Sequence, residues 1–205
     1  MVVRKSADHR KTEIVMAILR LADELGPDRL TTKAVADVVG LTQPAIFRHF
    51  PNKQALWAAV AKEITEKMTS AWDGVMQNNT APKDRVAGLI LVQLRLIEAR
   101  PAIPAILFSR ELHVENDNLR QSVLALMTQL TTHLASELAK GQEIGVFRTD
   151  LAPKDGAFLL VSLIQGLAIR WSLGGKAFSL EAEGKRLLAT QIKLFSDNTA
   201  SEQTS

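Results

Sequence analysis

Apolar residues recur along this chain at intervals of three and four, the spacing that lines one face of an α-helix, and the alternation of a half-buried strand is nowhere sustained. Ile14, Ile18, Leu21, Ala22 and Leu25 form a first stripe, which Gly26-Pro27 stops. A shorter pattern opens at Thr31 or Thr32, either of which can cap a helix with its hydroxyl, turns Val35, Val38 and Val39 inward, and ends at Gly40. Thr42 then caps a third segment, with Pro44 in the tolerated first turn and Ile46 and Phe50 four apart on one face. After the break at Pro51-Asn52, the residues Leu56, Val60, Ile64, Met68 and Trp72 repeat every four positions along a long helix from Lys53 that links two domains.

Beyond the turn at Asn78-Asn79-Thr80-Ala81-Pro82, helices are predicted over Lys83–Arg100, Pro101–His113, Asn118–Lys140 and Pro153–Leu173. Gly174-Gly175 separates a last amphipathic helix with the stripe Leu187, Leu188, Ile192 and Phe195. The fold class is all-α: an N-terminal three-helix domain over residues 1–52, a larger helical domain over 53–198, and a polar, disordered tail over 199–205.

Composition narrows the field. The chain has 205 residues, 46% of them hydrophobic, which is the range of ordinary globular proteins. It has no cysteine, and this excludes disulfide scaffolds, thiolate metal sites and cysteine nucleophiles together. The polar, basic start lacks a signal-peptide core, and the uncharged run from Gly156 to Ile169 is 14 residues, shorter than the roughly 18 to 20 that span a bilayer. A cytoplasmic protein without a membrane segment is expected. The net charge of +3 is uninformative until it is divided: residues 1–62 hold 10 Lys and Arg against 6 Asp and Glu, and residues 63–205 hold 15 against 16. The whole surplus lies in the N-terminal part.

That part has the pattern of a helix-turn-helix: Thr32–Val39, the turn Gly40-Leu41, and Thr42–His49. In this motif the second helix enters the major groove and its N-terminal residues meet base edges. With Ile46 and Phe50 facing the core, Gln43, Ala45, Phe47, Arg48 and His49 are expected on or near the other side. Gln43 can pair bidentately with adenine, Ala45 can touch a thymine methyl, and Arg48 can reach a guanine or a phosphate. Lys53 opens the long helix, where free amides and the positive dipole end attract a phosphate oxygen, and Thr32 and Lys33 stand the same way at the second helix. Arg4, Lys5, Arg10 and Lys11 form a basic arm that can add phosphate or minor-groove contacts or remain a solvated tail.

The run LTTKAVADVVGLTQPAIFRHFPNKQALWAAV, residues 30 to 60, resembles the DNA-binding domain of the TetR family of bacterial transcriptional regulators. The resemblance implies backbone contacts from Thr32 and Lys33 and a recognition helix presenting Thr42, Gln43, Pro44, Ala45, Phe47, Arg48 and His49, followed by Lys53 as a phosphate contact. Phe47 departs from the tyrosine common in the family, which removes a hydroxyl that meets a phosphate and leaves a ring able to pack on sugar or a thymine methyl. The resemblance further implies a C-terminal helical domain for ligand binding and dimerisation.

The C-terminal two-thirds carries no enzyme constellation: there is no Gly-rich phosphate loop, GxSxG or HExxH. The four histidines, His9, His49, His113 and His133, lack ligand spacing; Glu111, His113 and Glu115 stand two apart, so on a helix they point to different faces, and a solvated or capping role outweighs a metal site. No catalytic role, metal or cofactor is expected. The segment Ala157–Ile169 is apolar almost all round and needs cover on two sides, most simply from a second subunit across a two-fold axis. The interface would involve Phe158, Val161, Ser162, Gln165, Gly166 and Ile169, completed by Leu188, Ile192 and Phe195 of the last helix as a four-helix arrangement. An effector cavity is expected among Met68, Trp72, Gln93, Arg95, Phe108, Met127 and His133, large side chains with a few polar groups; plain core packing is the competing reading for each.

Together these observations predict a homodimeric DNA-binding transcriptional regulator, a repressor released from a palindromic double-stranded operator by a small, largely apolar effector. An architectural or adaptor protein that binds DNA without an effector is the alternative.

Overall fold

The computed structural model describes residues 6–196. The basic arm residues Arg4 and Lys5, and the tail from Asp197, lie outside the described residues, whereas Arg10 and Lys11 fall inside the first helix. Among the described residues all regular structure is helical: α1 (Ala7–Leu25), a 3₁₀ turn at Pro27–Arg29, α2 (Thr32–Val39), α3 (Gln43–His49), α4 (Lys53–Asn78), α5 (Pro82–Ala99), α6 (Ala102–Phe108), α7 (Arg110–Glu115), α8 (Asp117–Glu143), α9 (Pro153–Leu173) and α10 (Leu180–Phe195).

The chain forms two compact units. One comprises the described residues up to Lys67 together with Arg100–Leu124; the other comprises Met68–Ala99 and the described residues from Ala125. This division differs from a cut after residue 52, and the packing of α6 on α1, and of α6 and α7 on the 3₁₀ turn, is the reason.

In the first unit, Ser6 caps α1 by accepting from the His9 N–H, and Ile14, Val15, Ile18, Leu21 and Ala22 are buried. Leu25, in the predicted stripe, is instead exposed. Gly26 (φ 85°) turns the chain, and its N–H bonds the Ala22 carbonyl at 3.1 Å. Thr31, rather than Thr32, caps α2, accepting from the Ala34 N–H at 3.1 Å. Gly40, at φ 66°, closes α2 in the left-handed region that favours glycine. Val35 is buried, but Val38 is exposed and Val39 half-buried, because α1 covers only one side of this short helix. The single helix expected over Pro101–His113 is two. Ser109 breaks it by capping α7 through the Leu112 N–H (3.1 Å) while donating to Asp28 Oδ1 (2.6 Å), which ties α7 to the 3₁₀ turn.

In the second unit, α5 packs on α10 and α9, which pack on each other. The contact of α5 with α10 is close: a methyl added at Gly184 would lie 2.1 Å from Leu94 Cδ1. Glu98 of α5 also completes the start of α10, its carboxylate accepting from the Leu180 N–H (3.1 Å) and the Glu181 N–H (3.0 Å). These are two of the amides a helix N-terminus leaves without an internal partner. Glu137 of α8 is fully buried between Arg85 (3.4 Å) and Lys140 (2.5 Å), so its charge is paired on both sides. The 14-residue uncharged run lies within α9, a helix of 21 residues that is long and apolar enough by length and composition to cross a membrane. Nearly half of its most apolar window, 44%, is buried against the rest of the protein.

Candidate nucleic-acid interface

The interface is built on α2 and α3, which pack on each other and on α1. Val35, Ala36 and Ile46 anchor the pair in the core of the first unit. Gly40, Leu41 and Thr42 join the two helices. Thr42, Gln43, Pro44, Phe47 and Arg48 are exposed on α3 and its cap, and His49 is half-buried. No side-chain bond caps α3, so the Thr42 hydroxyl is not spent on its own helix. Ala45 departs from the expected outward position: it lies buried beside Ile46, on the side of α3 that packs against α1 and α2.

Thr32 and Lys33 begin α2, half-buried and exposed respectively. Gln43 Nε2 donates to Thr32 Oγ1 at 2.7 Å, linking the two helices. Lys53, at the first position of α4, is exposed and pairs with Glu115 of α7 at 3.0 Å. Of the arm, Arg10 is engaged with Glu13 at 2.8 Å and Lys11 is exposed. Arg48, Lys33 and Lys53 therefore stand with Gln43 on polar, solvated positions of one small domain.

The residues expected around an effector are brought together only in part. In the second unit Trp72 Nε1 donates to Gln93 Oε1 (3.0 Å), Gln93 Nε2 points to Met68 Sδ (3.4 Å), and the Trp72 ring meets His133 edge-on with centroids 6.3 Å apart. Met68, Trp72 and Gln93 are buried, and the Gln93 amide is satisfied by its neighbours. Met127 lies farther along α8, where Gln165 Nε2 approaches its sulfur at 3.7 Å. Arg95 is not part of this group. It faces outward on α5, donating to Glu181 at 3.2 and 2.6 Å, and these hydrogen bonds hold the Glu181 carboxyl below its ordinary pKa. Phe108 belongs to the first unit and is half-exposed there. A groove of about 580 Å³ opens elsewhere, between α1 and α2, with Met16, Ala17, Val38 and Val39 as its apolar lining and His9 and Arg10 beside them.

The residues expected at a dimer interface divide by burial. Phe158, Ser162, Gly166 and Ile169 form an exposed stripe on α9, with Leu159 and Leu173 also open to solvent. Gln165 is half-buried at its edge. Val161, Leu188, Ile192 and Phe195 are buried within the protomer, and Leu187 is half-buried, because the apolar stripe of α10 is covered by α5 and α9 of the same chain. His113 Nε2 lies 2.9 Å from the Leu107 carbonyl, and Glu115 is paired with Lys53.

Residues 14–60 match the model of the bacterial regulatory proteins of the tetR family, and residues 82–195 match that of the BetI-type transcriptional repressor, C-terminal. Among curated relatives, the nucleoid occlusion factor SlmA of Vibrio vulnificus (strain YJ016) is 26% identical over 127 residues, 62% of this chain and 65% of that protein. The match thus spans slightly less than two thirds of that relative's length. The SlmA of Marinomonas sp. (strain MWYL1) is 23% identical over 157 residues, 77% of this chain and 80% of that one. A TetR transcription regulator from Haloarcula marismortui ATCC 43049 shares the fold with a TM-score of 0.79 at 20% identity, over 93% of this chain and 100% of that one. The ketosteroid regulator KstR2 of Mycobacterium tuberculosis does so with a TM-score of 0.76 at 18% identity, over 92% and 96%. With both of its parts matched in order, and an open helix-turn-helix at the start of the chain, this protein belongs to the TetR family of transcriptional regulators.

Proposed function

We propose that the protein is a homodimeric, one-component repressor in the cytoplasm. Two recognition helices enter successive major grooves of a palindromic operator, about 34 Å apart. The observation that supports this reading most directly is the open face of α3, where Gln43, Phe47 and Arg48 stand free of the core with Thr42 beside them. Gln43 reads an adenine, Arg48 a guanine or phosphate, and Lys33, His49 and Lys53 hold the backbone. Pro44 sets the first turn of α3. The exposed stripe of α9, apolar at Phe158, Leu159, Ile169 and Leu173, supports a partner subunit as its cover.

A small, largely apolar effector bound in the second unit releases the operator. Support comes from the large side chains of Met68, Trp72, Met127 and His133 on neighbouring helices. A coupling of about 1 to 3 kcal/mol between the two sites corresponds to a 5- to 150-fold change in DNA affinity. The test is selection of a binding site from random DNA, followed by binding of the Gln43→Ala, Arg48→Ala double variant to it at fixed salt. Unchanged affinity overturns the groove assignment.

The satisfied Gln93 amide favours a second reading, a DNA-bound adaptor that takes no effector. Screening compounds for release of the selected site separates the two: a compound that shifts DNA affinity supports the repressor.

A further inference from the structure

α2 opens on two consecutive threonines, and their hydroxyls are used differently. Thr31 closes the helix start by accepting from the Ala34 N–H at 3.1 Å. Thr32, one residue on, is relieved of that role. Its oxygen accepts from Gln43 Nε2 at 2.7 Å, eleven residues farther along and on the neighbouring helix.

A glutamine amide has one carbonyl oxygen and two N–H hydrogens. Bidentate pairing with adenine uses the oxygen and one of those hydrogens: the oxygen accepts from N6–H and the N–H donates to N7. The second hydrogen has no base partner. A bond from this amide to Thr32 therefore leaves a full reading edge free, provided the hydrogen given to Thr32 is the one the base does not need. It also fixes the plane of an exposed side chain with three rotatable bonds, which otherwise is ordered only when DNA arrives.

We propose that Thr32 is a positioning residue for base recognition, its hydroxyl holding the Gln43 amide ready to pair with adenine. This rests on Gln43 reading a base, as proposed above. It differs from the role that the family resemblance gives Thr32, a contact to the DNA backbone, and the two roles have different signatures. A lost phosphate contact weakens binding to all sequences alike and lowers the salt dependence by about one phosphate. A lost positioning bond lowers discrimination at one base pair.

The experiment uses the full chain and the operator selected by the wild type. Gln43→Ala identifies the position it reads, and four duplexes carrying each base pair there are titrated at fixed salt with wild type, Thr32→Val, Thr32→Ser and the Thr32→Val, Gln43→Ala double variant. The expected result is that Thr32→Val lowers the preference for A over the next base by roughly 3- to 10-fold, the effect of one net hydrogen bond. Thr32→Ser, which keeps the hydroxyl, retains the preference, and Thr32→Val changes no base preference once Gln43 is gone. Uniform weakening across the four duplexes, or an equal change of preference in the Gln43→Ala background, overturns the positioning role alone. Base preferences that survive Gln43→Ala intact overturn the groove assignment and the positioning role together.

Discussion

Gly166 gives the sharpest test of a two-subunit assembly, because the two outcomes of adding one methyl have opposite signs. It lies on the exposed stripe of α9 between Ser162 and Ile169, and a Cβ placed there meets nothing within 4 Å. In a lone protomer, Gly166→Ala therefore gains helix propensity without a clash, about 0.8 to 1 kcal/mol. For a chain of this size that raises the melting temperature by about 2 to 4 °C. Under a partner helix packed over the glycine, the same methyl overfills the contact at a cost of about 1 to 3 kcal/mol per copy. A two-fold interface carries the change twice, so the dimer dissociation constant rises by at least about 30-fold. The propensity gain is common to monomer and dimer and cancels from that constant. Sedimentation velocity over a concentration series measures it, and thermal melting at the dilute end reads the protomer. Gly184→Ala is the control: its methyl would fall 2.1 Å from Leu94 Cδ1, and Leu94 is fully buried, so melting drops at every concentration. A Gly166→Ala protein with raised melting and an unchanged dissociation constant refutes the placement of a subunit on this stripe.

Three further outcomes follow from the geometry. Lys53 must leave Glu115 to reach a phosphate, so Glu115→Gln should tighten operator binding by roughly 1.5- to 5-fold, the range of exposed ion pairs, and steepen its salt dependence; weaker binding in a salt series counts against the competition. Trp72→Phe strands the Gln93 carbonyl oxygen in the core of the second unit and should cost about 1 to 3 kcal/mol in urea unfolding, whereas a loss under about 0.5 kcal/mol would mean the amide has another donor. Hydrogen bonding from Arg186, helped by Arg170, lowers the Glu183 carboxyl from 4.5 to about 2. Its contribution is complete above pH 4.5 and fades as pH falls toward 2; carbon-13 titration should show that midpoint and its return toward 4.5 in Arg186→Ala.

Much of this architecture is written in spacing. The four-residue repeat Leu56, Val60, Ile64, Met68, Trp72 is buried throughout one helix, and Gly26 and Gly40 end helices where the stripes stop. Periodicity assigns a residue to a face, but it does not say which neighbour covers that face. Leu188, Ile192 and Phe195 show the difference: the stripe is legible in the spacing, while its cover comes from α5 and α9 of the same chain. Arg95 shows it again, one turn from buried residues yet paired outward with Glu181, a partner 86 residues away. Ala45 is a related case: a small apolar side chain fits a groove contact or a core equally well, and the packing of α3 on both α1 and α2 is what buries it. At Ser109 the cap that opens α7 is local, through the Leu112 N–H, whereas its bond to Asp28 joins residues 81 apart, and no local pattern carries such a contact. In the recognition helix the residue types were enough to nominate Gln43 and Arg48; the bond to Thr32 required the two helices to be folded together.

The Glu98 carboxylate has a consequence for the order in which this protein comes apart. Because the first amides of α10 are bound by a residue 82 positions earlier, that helix end cannot fray as an independent terminus. Hydrogen exchange at Leu180 and Glu181 should require separation of α10 from α5, and so proceed with the slow amides of the second unit rather than the fast ones of a chain end. A protease probing the last helix would then find its start closed until the surrounding unit opens, and Glu98→Gln would admit it sooner.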